Sequence, residues 1–297
     1  MSKKSNSVSM ISAQYQKENR ALALWNRLKT NKGAVAGLII LILLLLSMVY
    51  SFIFISYDDI TRLNGALMFA KPSAQHLFGC DELGRDLLAR CIYGSRYSIA
   101  VGFGSVIIGA IIGVFFGAIA GYFGGWADNL IMRASDVMSS LPGTLLGMVI
   151  MSILGAKLIN LIIAIGVSCI AGFIRMGRAA VLTTKSNEYV EAARAIGMSE
   201  LRIIFTQVLP NSLSPLIVTA TSRLSTAVLS AAGLSFLGFG VPVPKPEWGA
   251  LISGSRNYLQ LAPHLCYFPG IFIMLMAFSC ALLGDGLRDA LDPKLNK

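Results

Sequence analysis

Apolar residues run almost unbroken through six stretches, 34–55, 98–122, 130–154, 158–173, 212–236 and 264–283. Each approaches or exceeds the roughly 20 residues that a helix needs to cross a hydrocarbon core about 30 Å thick. The pattern predicts an all-α, polytopic membrane protein of about six transmembrane helices. An even number of crossings puts both termini on one side. One interval breaks the pattern: residues 188–211 mix small, charged and apolar side chains at helical spacing, between two spans.

Within that interval the residue order specifies two short helices and a corner. Ala192, Ala193 and Ala195 are strong helix formers. Arg194 falls in the last turn, where a cation complements the helix dipole, and Gly197 supplies the left-handed residue that ends such a helix. Ser199 is placed to cap the next helix, with Glu200 at its positive end and Met198 and Ile203 at the spacing of a hydrophobic staple. Arg202 at the third position excludes a full capping box. Leu201, Ile204, Phe205 and Val208 form an i, i+3, i+4, i+7 stripe, and Pro210 is expected to end the element. A polar hairpin held between apolar spans points to docking of a soluble partner. A helix-turn-helix DNA reader shares the small-residue-plus-glycine pattern, but few basic residues here can meet phosphate.

Composition narrows the class. The 297 residues are 55% hydrophobic and 13% charged, with a mean hydropathy of +0.68; soluble domains carry about 25% charged residues. Lys3, Lys4, Lys17, Arg20, Arg27, Lys29 and Lys32 crowd the N-terminal arm. By the positive-inside rule they place that end, the hairpin and the C-terminus in the cytoplasm. Arg85, Arg90 and Arg96 fall on the outer side and run against the bias. The first span, at about 22 residues, exceeds the roughly 7 to 15 apolar residues of a signal peptide and reads as a retained helix. The net charge of +10 sits at juxtamembrane ends, where it sets topology and meets anionic lipid rather than nucleic acid. Cys80, Cys91, Cys169, Cys266 and Cys280 have no metal-ligand spacing. Cys80 and Cys91 share the outer loop, and a pair or two free thiols both fit.

Several chemistries lack their residues. No G-x-x-x-x-G-K-[ST] phosphate loop occurs, so this chain binds no nucleotide in that way. No Ser/His, paired Asp or H-E-x-x-H set lies at membrane depth. Ion and proton relays need intramembrane charges, yet 98–122 and 158–173 contain none, Asp136 and His264 lie near span ends, and Arg223 stands alone. Those absences disfavour a membrane enzyme and an ion-coupled secondary transporter. Gly109, Gly113, Gly117 and Gly121 recur every fourth residue, a stripe that lets helices approach closely. It fits packing within the chain's own bundle or a seam in a moving core.

At the hairpin the sequence resembles a known family. Glu191-Ala192-Ala193, Gly197 and Leu209-Pro210 look like the EAA loop of permease subunits of binding-protein-dependent ABC importers. Phe78-Gly79-Cys80-Asp81-Glu82-Leu83-Gly84-Arg85-Asp86 resembles the FGTDxLGRD stretch of the second permease of dipeptide, oligopeptide and nickel importers, with Cys80 in place of the usual threonine. Residues 120–125, 234–242, 246–249 and 283–293 resemble the same subunits, so the likeness runs from Phe78 to Pro293.

The resemblance implies the type I ABC importer permease fold with cytoplasmic termini. It divides the chain into a basic arm (1–33), a first transmembrane helix (34–55), an extracytoplasmic segment (56–97), a permease core (98–286) with a coupling loop (181–211), and a tail (287–297). It also implies a second homologous permease in a heterodimer, two cytoplasmic ABC ATPase subunits and an extracytoplasmic solute-binding protein. ATP and Mg would be bound by the ATPases; this subunit would hold no cofactor or metal and no catalytic residue. Glu191, Ala192, Ala193 and Gly197 would form the ATPase contact, with Leu209 and Pro210 completing the motif and Glu188, Arg194 and Arg202 at its rim.

On the outer side, Pro242, Pro244 and Pro246 favour a stiff extended loop, and Trp248 suits an interfacial anchor. Docking the binding protein and resting on lipid headgroups both remain open for that loop. The resemblance ranks peptides first as cargo, ahead of nickel or a metal chelate and glutathione-like solutes. A membrane assembly factor is the remaining alternative.

Overall fold

Backbone amides find no water inside a bilayer, so apolar runs satisfy them internally as helices. The computed structural model describes residues 20–291, and these are helical almost throughout. Among them the only strand-like pairing is an isolated bridge between Cys80 and Asp86. Lys3, Lys4 and Lys17 of the arm, and Asp292, Pro293, Lys294 and Lys297 of the tail, lie outside the described residues. We number the helices α1 (Arg20–Leu28), α2 (Lys32–Phe54), α3 (Tyr57–Thr61), α4 (Leu87–Phe123), α5 (Gly125–Ser140), α6 (Gly143–Leu154), α7 (Leu158–Lys185), α8 (Glu188–Ala195), α9 (Glu200–Ile203), α10 (Leu213–Phe239), α11 (Trp248–Ser255) and α12 (His264–Leu291).

Five of these helices, α2, α4, α7, α10 and α12, are long and apolar enough to cross a membrane. The expected continuous span over 130–154 is instead a bent pair, α5 and α6, meeting at 86°. Pro142 causes the break. It has no N–H and pushes the residue before it out of helical space, and Leu141 is extended (φ −97°, ψ 135°). The pair still recrosses the membrane. α4 and α7 run parallel, since Gly109 meets Cys169 and Gly121 meets Arg178 and Val181, so α5–α6 must return the chain between them. Six crossings result, and the two described ends meet on one face, where Asn31 Nδ2 donates to Asp289 Oδ2 at 3.1 Å.

Two other spans are longer than expected. α4 starts at Leu87, eleven residues before the predicted start, because Asp86 caps it by accepting from the Ala89 amide at 2.8 Å. α7 continues past Phe173 to Lys185. The expected divisions at residues 97 and 286 therefore fall inside α4 and α12. At 37 residues α4 is about 55 Å long, well beyond the roughly 30 Å of a hydrocarbon core.

The seam between α4 and α7 is the most extensive helix contact in the bundle. Gly109, Gly113, Gly117 and Gly121 all face α7, so the stripe packs within this chain. A β-carbon at Gly109 would lie 2.6 Å from Cys169 Cβ, and one at Gly121 2.7 Å from the Arg178 carbonyl. Lipid gives helices no hydrophobic reason to associate, so the dispersion gained by backbones in contact holds the pair together. Around it, α2 and α10 pack on α12, and Leu224, Val228, Phe173, Met276 and Cys280 share one buried cluster. Arg96 of α4 ties in α2: it donates to Ser51 Oγ at 2.7 Å and to the Ile55 carbonyl at 3.1 Å, placing a cation on the helix's negative end.

Gly117→Ala would set a β-carbon 2.5 Å from the Ile174 carbonyl oxygen and 2.9 Å from the Arg178 amide. Overpacking of this kind costs about 1–3 kcal/mol, read as a lower unfolding temperature in detergent. Gly233→Ala on α10, where no atom of the described residues lies within 4 Å, is the control and should leave stability unchanged or raised by about 0.5–1 kcal/mol.

Candidate functional site

The hairpin is built from α8 and α9 around the corner at Gly197. Gly197 has φ +82°. Its amide donates to the Arg194 carbonyl at 3.0 Å, and the Met198 amide donates to the Ala193 carbonyl at 3.2 Å. This is the Schellman termination, which pairs the Ala193 and Arg194 carbonyls at the end of α8. Among the described residues no atom lies within 4 Å of where a β-carbon on Gly197 would sit, so the backbone conformation alone demands glycine. Ser199 sits at the start of α9, but its side chain makes no capping bond. Pro210 does not end the second helix as expected. The chain widens to a π turn over Ile204–Val208, with the Leu209 amide reaching back to the Ile204 carbonyl, and Pro210 is carried in the next turn. Widening makes room for a ring that would otherwise strike the preceding turn.

The hairpin is fastened to the ends of α4 and α7. Val190, Ala193, Ile203, Ile204 and Val208 are buried with Ala118 and Tyr122 of α4 and Val181 of α7, and Met198 and Leu209 pack against them. Polar contacts reinforce the joint. Arg194 donates from Nε to Glu200 Oε1 at 3.0 Å, closing the corner. The Tyr122 hydroxyl donates to Glu200 Oε2 and accepts from Arg194 at 3.3 Å. Lys185 Nζ donates to the Tyr122 carbonyl at 2.5 Å. The Arg194 guanidinium holds the Glu200 carboxyl below the usual carboxylate range, and the Tyr122 hydroxyl adds to it. Beside them Arg178 of α7 makes a two-pronged pair with Asp128 of α5, at 2.5 and 2.6 Å, linking the bent pair to the same platform.

Burial sorts the expected contact residues. Glu188, Glu191, Ala192, Gly197 and Pro210 are exposed. Ala193 belongs to the core that anchors the hairpin, and Leu209 is half-buried against that core. Arg194 is half exposed but engaged within the corner, where it acts as a fastener. Of the apolar stripe, Ile204 and Val208 face inward, while Leu201 and Phe205 are exposed and line an apolar groove with Ile111 and Phe115 of α4. Two exposed apolar side chains beside Glu191 went unnoticed in the sequence, Tyr189 and Ile196, the latter 79% exposed. An isoleucine just before a helix-ending glycine, off the buried stripe, was the available signal.

The opposite face corrects another expectation. Pro242 and Pro244 are exposed, but Pro246 is buried and Trp248 is fully buried, so neither is placed as a docking or interfacial residue. Trp248 Nε1 donates to the Cys91 carbonyl of α4 at 2.8 Å. Glu247, also buried, accepts from the Gly249 and Ala250 amides at 3.0 and 2.9 Å and from Ser98 Oγ at 3.2 Å. Burial pushes its carboxyl above the usual range, and those donors oppose the shift. The loop is thus a clamp on α4. Nearby, Asp81 accepts from Arg85 Nε at 2.7 Å and pairs with Arg90 at 3.1 Å, all three buried. Cys80 and Cys91 are separate thiols.

These features define a class: a six-crossing helical membrane protein that carries a solvent-facing helix hairpin rigidly on a parallel helix pair. Residues 113–297 match the family described as "Binding-protein-dependent transport system inner membrane component", and residues 22–72 match "N-terminal TM domain of oligopeptide transport permease C". The chain belongs to this family of inner-membrane transport permeases. It is similar to the dipeptide transport system permease protein DppC of Alkalihalophilus pseudofirmus, 44% identical over 271 residues that cover 91% of this chain and 89% of the relative. The di/tripeptide permease DppC of Pseudomonas aeruginosa is 43% identical, covering 91% of each. The glutathione permease GsiD of Escherichia coli is 41% identical, over 91% of this chain and 89% of that one. In fold the chain resembles inward-facing structures of the MetNI methionine ABC transporter, with a TM-score of 0.56 and 21% identity, over 69% of this chain and 97% of that one.

The Glu200 link titrates in a definite direction. A depressed carboxyl pKa contributes stability that is present above the unfolded value, about 4.3, and lost as pH falls through the folded value. Hydrogen exchange at 188–200 should therefore accelerate as pH drops below about 4, after correction for intrinsic exchange. Glu200→Gln should show the faster exchange already at pH 7 and no further loss on acidification.

Proposed function

We propose that this chain is one half of the translocation pathway of an ATP-driven peptide importer. In this reading it pairs with a second homologous permease, receives solute from an extracytoplasmic binding protein, and is driven by two cytoplasmic ABC ATPases. ATP and Mg belong to those ATPases; this subunit contributes movement, with no catalytic residue of its own. The hairpin face is then cytoplasmic, and so are both termini.

One observation carries the mechanism: the exposed knob formed by Glu188, Tyr189, Glu191, Ala192, Ile196 and Gly197 rides on side chains buried between α4 and α7. Small residues let the knob enter a groove, Tyr189 and Ile196 supply apolar contact, and the glutamates supply charge complementarity. When the ATPases close, force on the knob passes through the packed corner and the Tyr122–Arg194–Glu200 contacts to both spans. The glycine seam lets α4 and α7 move as one body. Their displacement relative to α10 and α12 opens and closes the path.

The names of the relatives above support small peptides as cargo. A second reading, glutathione, is favoured by the similarity to the glutathione permease; it is itself a tripeptide, so the two share backbone amides and free carboxylates.

The test is reconstitution of the importer with its ATPases and binding protein. Ile196→Asp should lower dipeptide uptake by tenfold or more, about 1.4 kcal/mol or more at the contact. The variant should fold normally, because Ile196 is outside the hairpin core. Comparison of labelled dipeptide with glutathione in the same vesicles decides between the cargoes. Undiminished uptake after replacing the whole 191–197 turn would remove the coupling role.

A further inference from the structure

Arg223 is the one charged residue of α10. It lies ten residues into the helix, about 15 Å along its axis, close to the middle of a hydrocarbon core. A guanidinium at that depth is costly unless it faces protein, a partner charge or water, and such residues mark functional sites. The arginines of α7 have partners: Arg175 pairs with Asp136 at 3.4 Å and Arg178 with Asp128 at 2.5 Å. Arg223 has no carboxylate within ion-pair distance among the described residues.

The fold makes room for it. The guanidinium lies over Gly172 of α7, where a β-carbon would collide with its terminal nitrogen. It lines a cavity of about 780 Å³ between α7, α10 and the end of α12. That volume is in the range of small-molecule sites. Thr184, Ser212, Thr219, Ser222 and Arg288 share the lining, and no Asp or Glu joins them among the described residues. Thr219 and Ser222 donate their hydroxyl protons to carbonyls one turn back, at 2.8 and 3.1 Å. Their oxygens are thereby left to accept. The cavity presents two guanidinium groups that attract an anionic oxygen pair, and hydroxyl oxygens suited to amide N–H.

We propose that this cavity is a station on the transport path that holds the C-terminal carboxylate of the cargo, with Arg223 as its principal contact and Arg288 as a second cation nearer the hairpin face. The assignment to cargo rests on the peptide reading above. A guanidinium is matched to a carboxylate by its planar, two-pronged donor geometry. Hydroxyl acceptors beside it suit the last amides of a short peptide and discriminate little between side chains. A station of this kind selects for the free terminus common to all unmodified peptides.

The test uses the assembled importer in vesicles of neutral lipid, with Ser222→Cys as a reporter. Four of the five native cysteines are buried and Cys266 is half buried, so labelling is read against the parent chain. A negatively charged thiosulfonate reagent should modify the reporter about tenfold faster than a positively charged one, because a cleft of one sign concentrates counter-ions. The preference should fall to near unity in Arg223→Gln and persist in Arg223→Lys, with co-purification of the partner permease and the ATPases showing that each complex is assembled. A dipeptide with a free carboxylate should slow modification, and its C-terminal amide should not.

Equal rates for the two reagents, or equal protection by acid and amide, would overturn the proposal. An anion preference relieved by succinate but by no peptide would keep the carboxylate pocket and remove the peptide reading beneath it. Protection that requires phosphatidylglycerol in the vesicles instead of peptide would assign the cations to a lipid headgroup and overturn the station.

Discussion

Direct backbone contact between α4 and α7 is the constraint on which the rest of the structure depends. In lipid, two apolar helices gain nothing by leaving solvent, so close approach must supply the attraction. Four glycines at a spacing of four residues allow it, and Gly166 and Gly177 answer them from α7. Because the two helices are parallel, the chain between them must recross the membrane, and the break at Pro142 is how it does so. The same seam puts the ends of α4 and α7 side by side, which creates the platform for the hairpin. Remove the close approach and the platform, the return crossing and the buried cluster around Phe173 all lose their geometry.

The hairpin is fixed to the spans because its inner face is core. Val190 and Ala193, three residues apart on α8, pack beneath Tyr122 and Val181, while Glu188, Glu191 and Ala192 face away. The Schellman turn and the Arg194–Glu200 pair fix the corner angle from within. Tyr122 joins hairpin to span through both its ring and its hydroxyl. Exposed ion pairs are weak fasteners; the apolar contact carries most of the attachment and the polar links set its register.

At the other end of α4 the chain uses buried polarity instead. Asp81 is shared by Arg85 and Arg90, and Glu247 satisfies three donors while Trp248 bonds a helix carbonyl. Such groups are strongly destabilising if one partner is removed. They hold the 78–90 turn and the 241–249 loop in fixed positions on the bundle. α4 is therefore gripped at both ends, by charge and hydrogen bonds on one face and by the hairpin core on the other. Against these paired charges Arg223 stands out, since the fold clears space for it at Gly172 and supplies no carboxylate partner among the described residues.

The sequence by itself determined the membrane class, the number of crossings, the corner at Gly197 and the glycine stripe, because each depends on local composition, helical period or a single residue's backbone freedom. The family motifs around Glu191 and Phe78 were equally legible. Only the tertiary structure decided which face of a short helix is buried. Ala192 and Ala193 are identical neighbours in sequence, yet one is exposed and the other is core. It also decided that Trp248 is a clamp. The link of Tyr122 to Glu200 joins residues 78 positions apart, and Arg223 acquires its cavity from α7 and α12. Local pattern records what a residue can do; long-range packing decides what it meets, and no periodicity within one helix encodes the position of another.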